Sequence, residues 1–150
     1  MRLKFRRAGL AAVLLALCVP AAATLGEDAS SVSADQAQLQ AGLTISSTAK
    51  FSVHQLQLSS GTTVNEYVSP AGMVFAVSWQ GPSIPDLQQV LGRYFDAYVA
   101  AMRNRGAGSS APATQPAGFV AQSGGHMRAY FGRAYVASML PRGVFAEEIK

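Results

Sequence analysis

The stretch from Gly61 to Gly81, GTTVNEYVSPAGMVFAVSWQG, most constrains what this chain can fold into. Thr62 to Val68 and Met73 to Trp79 are each rich in β-branched and aromatic residues and bounded by Gly and Pro, which predicts two strands. Between them Ser69-Pro70-Ala71-Gly72 sets Pro where a type I turn wants φ near −65° and Gly at the fourth place, so the pair reads as a hairpin. If that turn pairs Val68 with Met73, Glu66 faces Phe75 on the side shared by Val64, Val68, Val77 and Trp79. A carboxylate buried alone is costly, so the register predicts a guanidinium partner for Glu66, from Arg128 or Arg133. That pair would fix strand order and take no part in turnover. The alternative is a bulge at Gly72 that turns Glu66 to solvent.

Three further segments complete the expected domain. Ser33 followed by Gln36 has the form of a capping box, and Ala34 to Ala41 favours a short helix ending at Gly42. Lys50 to Leu58 reads as a strand whose apolar parity changes between Val53 and Leu56, which a bulge near Gln55 would reconcile. After the hairpin, Ser83 and Asp86 form a second capping box. Leu87, Val90, Leu91, Tyr94, Tyr98 and Met102 then recur at helical spacing, with Arg103, Arg105 and Gly106 as stop signals. Residues 106–118, uncharged and rich in Gly, Ser and Pro, are expected to form a flexible loop. Beyond it Phe119 to Gln122 reads as a strand, Ser123-Gly124-Gly125 as a turn, and Met127 to Ala137 as a longer strand with a possible bulge at Gly132. The fold class is α+β: one domain over residues 24–150, an antiparallel sheet of about five strands with one long amphipathic helix packed on one face.

The first 23 residues form a secretory signal peptide in this reading: basic Arg2, Lys4, Arg6 and Arg7, an apolar run from Ala8 to Val19, and Ala21-Ala22-Ala23 as the cleavage site. The run is shorter than the ~20 residues a membrane span needs, so the exported chain is not expected to span a membrane. A twin-arginine signal at Arg6-Arg7 fits poorly with Phe5 and Gly9 on either side. Lipid attachment at Cys18 fits poorly with Leu17 before it. Cleavage removes four of the 12 Lys and Arg, leaving eight against eight Asp and Glu. A nucleic-acid partner is therefore disfavoured. The one cysteine, Cys18, is also lost, so no disulfide or thiolate site is expected.

Leu25-Gly26, Ser31-Val32, Asp35, Glu66-Tyr67-Val68, Gly72, Val74-Phe75-Ala76-Val77, Trp79, Gly81-Pro82 and Pro85-Asp86-Leu87, with Leu91-Gly92, Gly124 to Arg128 and Gly132 to Tyr135, together resemble an exported bacterial family. It is the one catalogued as domain of unknown function 2844. The resemblance covers essentially the whole chain after the leader and departs at Asn65, where a basic residue is expected. It implies export in Gram-negative bacteria, to the periplasm or beyond, and no reaction or ligand.

No catalytic motif stands out. His54 and His126 lack metal-ligand spacing, the ordinary reading of His54 is structural, and neither a metal nor a cofactor is expected. Gly124-Gly125-His126 is not followed by a helix, so it reads as a tight turn rather than a phosphate loop. Ser30, Ser31, Ser33, Ser46 and Ser47 sit in no nucleophile elbow. On a strand, His126, Arg128 and Tyr130 would share one face, opposite Met127, Ala129 and Phe131, and make a small cationic and aromatic binding patch. The expected function is a periplasmic or secreted binding or accessory protein, not an enzyme, engaging a small anionic ligand or another envelope protein. The alternative is a small hydrolase using His54 or His126 with Asp35, Glu66 or Asp86. Nothing in the sequence sets an oligomeric state.

Overall fold

The computed structural model describes residues 25–104, 113–114 and 118–150. The expected signal peptide and nearly all of the expected 106–118 loop lie outside the described residues. The described strands join one antiparallel sheet: β1 (Gly42–Ser47), β2 (Ser52–Gln57), β3 (Thr63–Val68), β4 (Val74–Gly81), β5 (Ala113–Thr114), β6 (Phe119–His126) and β7 (Ala129–Val136). Their spatial order is β1-β2-β3-β4-β7-β6-β5. Six strands have six to eight residues each and β5 has two, one more full strand than the sequence suggested. The extra one is β1, GLTISS, whose serines and leading glycine hide it from a propensity reading.

Both faces of the sheet are covered, and this explains the change of parity in β2. Leu56 packs into the larger core with Leu25, Val32, Val64, Val77, Val90 and Leu91. Phe51 and Val53 pack on the opposite side with Tyr67, Phe75, Ala76, Val144 and Ile149. The strand therefore pairs with β3 in unbroken register, and the bulge expected near Gln55 is absent. An irregularity occurs instead between β3 and β4, where Tyr67 faces Ala76, Val68 faces Val74, and Phe75 is the extra residue. Phe75 and Ala76 consequently both join the second core while Val74 and Val77 stay in the first. The hairpin turn forms as its chemistry demands, Gly72 N–H donating to Ser69 O at 2.9 Å.

The larger core is roofed by helices. α1 (Ser31–Gln38) begins two residues before the expected capping box, and no side chain caps it. α2 (Leu87–Leu91) is capped by Asp86, whose carboxylate accepts from Gln89 N–H at 3.1 Å. Ser83 takes no part in that cap; its carbonyl and hydroxyl are hydrogen-bonded to Thr62 Oγ1. The long amphipathic helix is broken at Gly92, which takes φ 43° and opens a short 3₁₀ turn, Gly92–Tyr94, before α3 (Phe95–Arg103) resumes. Its apolar stripe is as expected: Val90 and Leu91 are fully buried, and Tyr94, Tyr98 and Met102 lie against the core.

The other face is covered by the strap that follows β7, residues 137–150, which the sequence did not reveal. It sets Val144 and Ile149 into the second core. Lys50 Nζ holds its edge through Gly143 O at 2.7 Å and Glu148 at 3.2 Å.

Candidate functional site

Alternation along paired strands puts Gln55, Asn65, Ser78, Arg133 and Gln122 in one row across β2, β3, β4, β7 and β6, all on the strap side. The row is knitted by hydrogen bonds from Gln55 to Asn65 at 3.2 Å, Asn65 to Ser78 at 3.3 Å and Arg133 Nε to Gln122 at 3.2 Å. The strap lies on it by its backbone. Lys150 O accepts from Asn65 Nδ2 at 3.2 Å, Tyr67 Oη at 2.7 Å and Ser78 Oγ at 2.6 Å. Arg133 Nη1 donates to Ala146 O at 2.6 Å and Ile149 O at 3.1 Å.

The next row, Gln57, Thr63, Gln80, Phe131 and Gly124, has no buried member. At its centre Gln80 pairs with Phe131, and the two residues separate two open hollows of about 330 and 370 Å³. Arg133, Gln122 and Lys150 border the first hollow; Arg128, Tyr130 and Pro82 border the second. Of the residues of the expected binding patch, Arg128 and Tyr130 line the second hollow and His126 lines neither.

Its assumed geometry does not survive. The chain turns at Met127-Arg128, not at Ser123-Gly124-Gly125; β6 runs on through both glycines to His126, and Arg128 takes φ 67° in the turn. Because the turn falls between them, His126 faces the side of Phe131 and Arg133, and Tyr130 faces the other. Met127 and Phe131, expected on the face opposite the patch, are 82% and 44% exposed. Gly132 is no bulge: it pairs regularly with Trp79 and Ser123 and leaves room for the Trp79 indole.

The Glu66 reading is half correct, and its register is not: Val68 pairs with Val74 rather than Met73, and Glu66 faces Val77 rather than Phe75. Glu66 is buried on the face of Val64, Val77 and Trp79, but it meets no arginine: Arg128 is in the exposed turn, and Arg133 is on the opposite face, committed to the strap. What reaches Glu66 is Asp35, on the inner side of α1 and fully buried. Burial first, then a hydrogen bond to Asp35 and the charge of Asp35, pushes the Glu66 carboxyl up to about 9. Gln89 Nε2 donates to Asp35 Oδ1 from α2. The expected buried ion pair is thus a pair of acids that keeps a proton. The sequence carried one signal for it: Val32, Asp35 and Leu39 recur at helical spacing, which aims Asp35 inward.

The remaining candidates are dispersed. His54 stands across from Glu66 in the β2–β3 register, with Nε2 3.4 Å from Ser52 Oγ, and burial lowers its pKa. Asp86 is occupied as a helix cap. Neither histidine forms an ion pair with a carboxylate among the described residues. Among them, too, no cluster of three or more His, Cys, Asp or Glu could hold a metal, and no helix is long and apolar enough to cross a membrane.

The chain belongs to the family described as "Protein of unknown function (DUF2844)", whose model matches residues 21–149. No curated protein and no solved structure matches it.

Proposed function

We propose that this protein is an exported binding or accessory protein, without catalytic activity of its own, that holds a ligand bearing an anionic group on the open part of the strap-side face. The observation that carries the reading is the pair of adjoining hollows divided by Gln80 and Phe131, with Arg133 on one side and Arg128 on the other. Arginine suits a carboxylate or phosphate because its planar fork donates two parallel hydrogen bonds. Arg128 has no hydrogen bond or ion pair among the described residues. The leader-like first 23 residues support export to the periplasm or the medium.

Trp79, the single tryptophan of the chain, borders the first hollow and makes the test simple. Titration with citrate and with inorganic phosphate should change its fluorescence saturably, and Arg128→Gln should weaken the response at unchanged melting temperature. A flat titration with both anions would overturn the proposal.

A further inference from the structure

We infer that the ligand is an acidic oligosaccharide, laid across the open row of the sheet with one sugar ring stacked on Phe131. This rests on the binding reading above and names its substrate class.

Three independent features converge on it. Gln57, Thr63 and Gln80 occupy successive strands on this row, and neighbouring strands lie about 4.8 Å apart, a step comparable to one pyranose unit. Each amide offers donor and acceptor together, which is what a pair of neighbouring hydroxyls requires. Thr63 Oγ1 donates to Gln57 Oε1 at 2.9 Å, and among the described residues neither the Gln57 NH₂ nor the Gln80 side chain has a hydrogen-bond partner.

Phe131 supplies the second feature. The Cζ end of its ring packs by Gly124, where an added Cβ would come within 2.8 Å of it. The residue remains 44% exposed. A flat aromatic surface set among amides matches a sugar, which has an apolar C–H face and a polar rim.

The third feature is charge. From Ala97 to Ala146 the sequence has five arginines, Arg103, Arg105, Arg128, Arg133 and Arg142, and no aspartate or glutamate. The hairpin of β6 and β7 that carries Phe131 lies inside this acid-free span, so a carboxylated or phosphorylated glycan is favoured over a neutral one. An extended peptide matches less well. Peptides that bind sheets pair with an exposed edge through their backbones, whereas this row offers side chains in the middle of a face.

Affinity electrophoresis of the purified protein through gels containing alginate, polygalacturonate or neutral dextran tests the assignment. The acidic polymers should retard the protein and dextran much less. Phe131→Ala and Gln80→Ala should each weaken retardation, Phe131→Ala roughly tenfold if stacking is worth about 1.4 kcal/mol. Circular dichroism and melting temperature confirm that the variants fold. No retardation by either acidic polymer, or retardation of Phe131→Ala equal to the parent, would overturn the assignment. A citrate titration on the same samples separates the two levels: citrate binding without retardation removes the glycan and leaves the anion site, while loss of both removes both.

Discussion

Glu66 of β3 meets Asp35 of α1 carboxyl to carboxyl beneath the helical roof, and Gln89 of α2 donates to Asp35 from the other side. Three elements thereby meet at one proton. Among the described residues no other group donates to either oxygen of Glu66, so Glu66 supplies its own proton, as a neutral acid donating to Asp35. Two bare carboxylates there would repel one another, and among the described residues neither is ion-paired to a lysine or arginine.

The folded state therefore keeps a proton that an unfolded glutamate releases near 4.5, and holds it to about 9. The folded value is raised, so this contribution is fully present below pH 4.5 and is lost as pH rises towards 9. Over that window it costs ~1.4 kcal/mol of stability per pH unit. Glu66→Gln keeps a neutral donor towards Asp35 and has no proton to lose. Urea unfolding from pH 5 to 9 should show a falling stability in the parent that is markedly flatter in the variant. Parallel curves would mean that Glu66 titrates as an ordinary acid. Lowering of the His54 pKa by burial acts in the opposite sense, removing stability as pH falls through the histidine range.

A second expectation concerns Gly132. A Cβ there would sit 2.1 Å from Cζ2 of Trp79, whose ring is also edge-on to Tyr98 at 6.0 Å. In a close-packed interior a contact that short moves the indole or the strand, so Gly132→Ala should cost at least ~1–3 kcal/mol. The near-ultraviolet circular dichroism of Trp79 should change with it. A variant as stable as the parent, with an unchanged tryptophan signal, would contradict the packing.

A third concerns processing. The basic, apolar and small-residue sequence of residues 2–23 predicts an exported form that begins at Thr24 and carries no lipid. Intact-mass measurement of the protein recovered from the periplasm or medium decides it. A diacylglyceryl adduct at Cys18, or a retained leader, would be incompatible with cleavage after Ala23.

The central hairpin, the apolar stripe of the long helix and the burial of Glu66 were legible because each follows from a local period: two along a strand, 3.6 along a helix. Features set by distant segments were not. Nothing near Val53 announces that residues 144–149 will cover it, so a strand with two covered faces read as a strand with a bulge. The partner of Glu66 was misassigned for a related reason. Charge complementarity points to an arginine, but Arg133 projects from the other face of the sheet, and the side chain that does arrive is a second acid from a helix some thirty residues earlier. The binding face was displaced by a single turn, because Gly124-Gly125 looks like a turn and forms strand, while Met127-Arg128 looks like strand and forms the turn.

The last prediction tests what holds the strap. Arg133 Nη1 donates to Ala146 O and Ile149 O while Nε is held by Gln122, so one guanidinium fixes both ends of the final 3₁₀ turn, Ala146–Glu148, and sets the border of the first hollow. Lysine at this position keeps the charge but lacks the fork that spans two carbonyls and an amide. Hydrogen bonds from charged donors contribute ~1.5–3 kcal/mol each, so Arg133→Lys should lower stability by ~1–3 kcal/mol after partial compensation. The loss should be local. Hydrogen exchange should rise in residues 144–150 and leave α2, α3 and β3 protected, because Val90, Leu91 and Val64 belong to the larger core on the far face. Uniform loss of protection would show that the strap and the larger core unfold as one unit. Unchanged exchange in residues 144–150 would show that Tyr67, Ser78 and Asn65, acting on Lys150, hold the strap without Arg133.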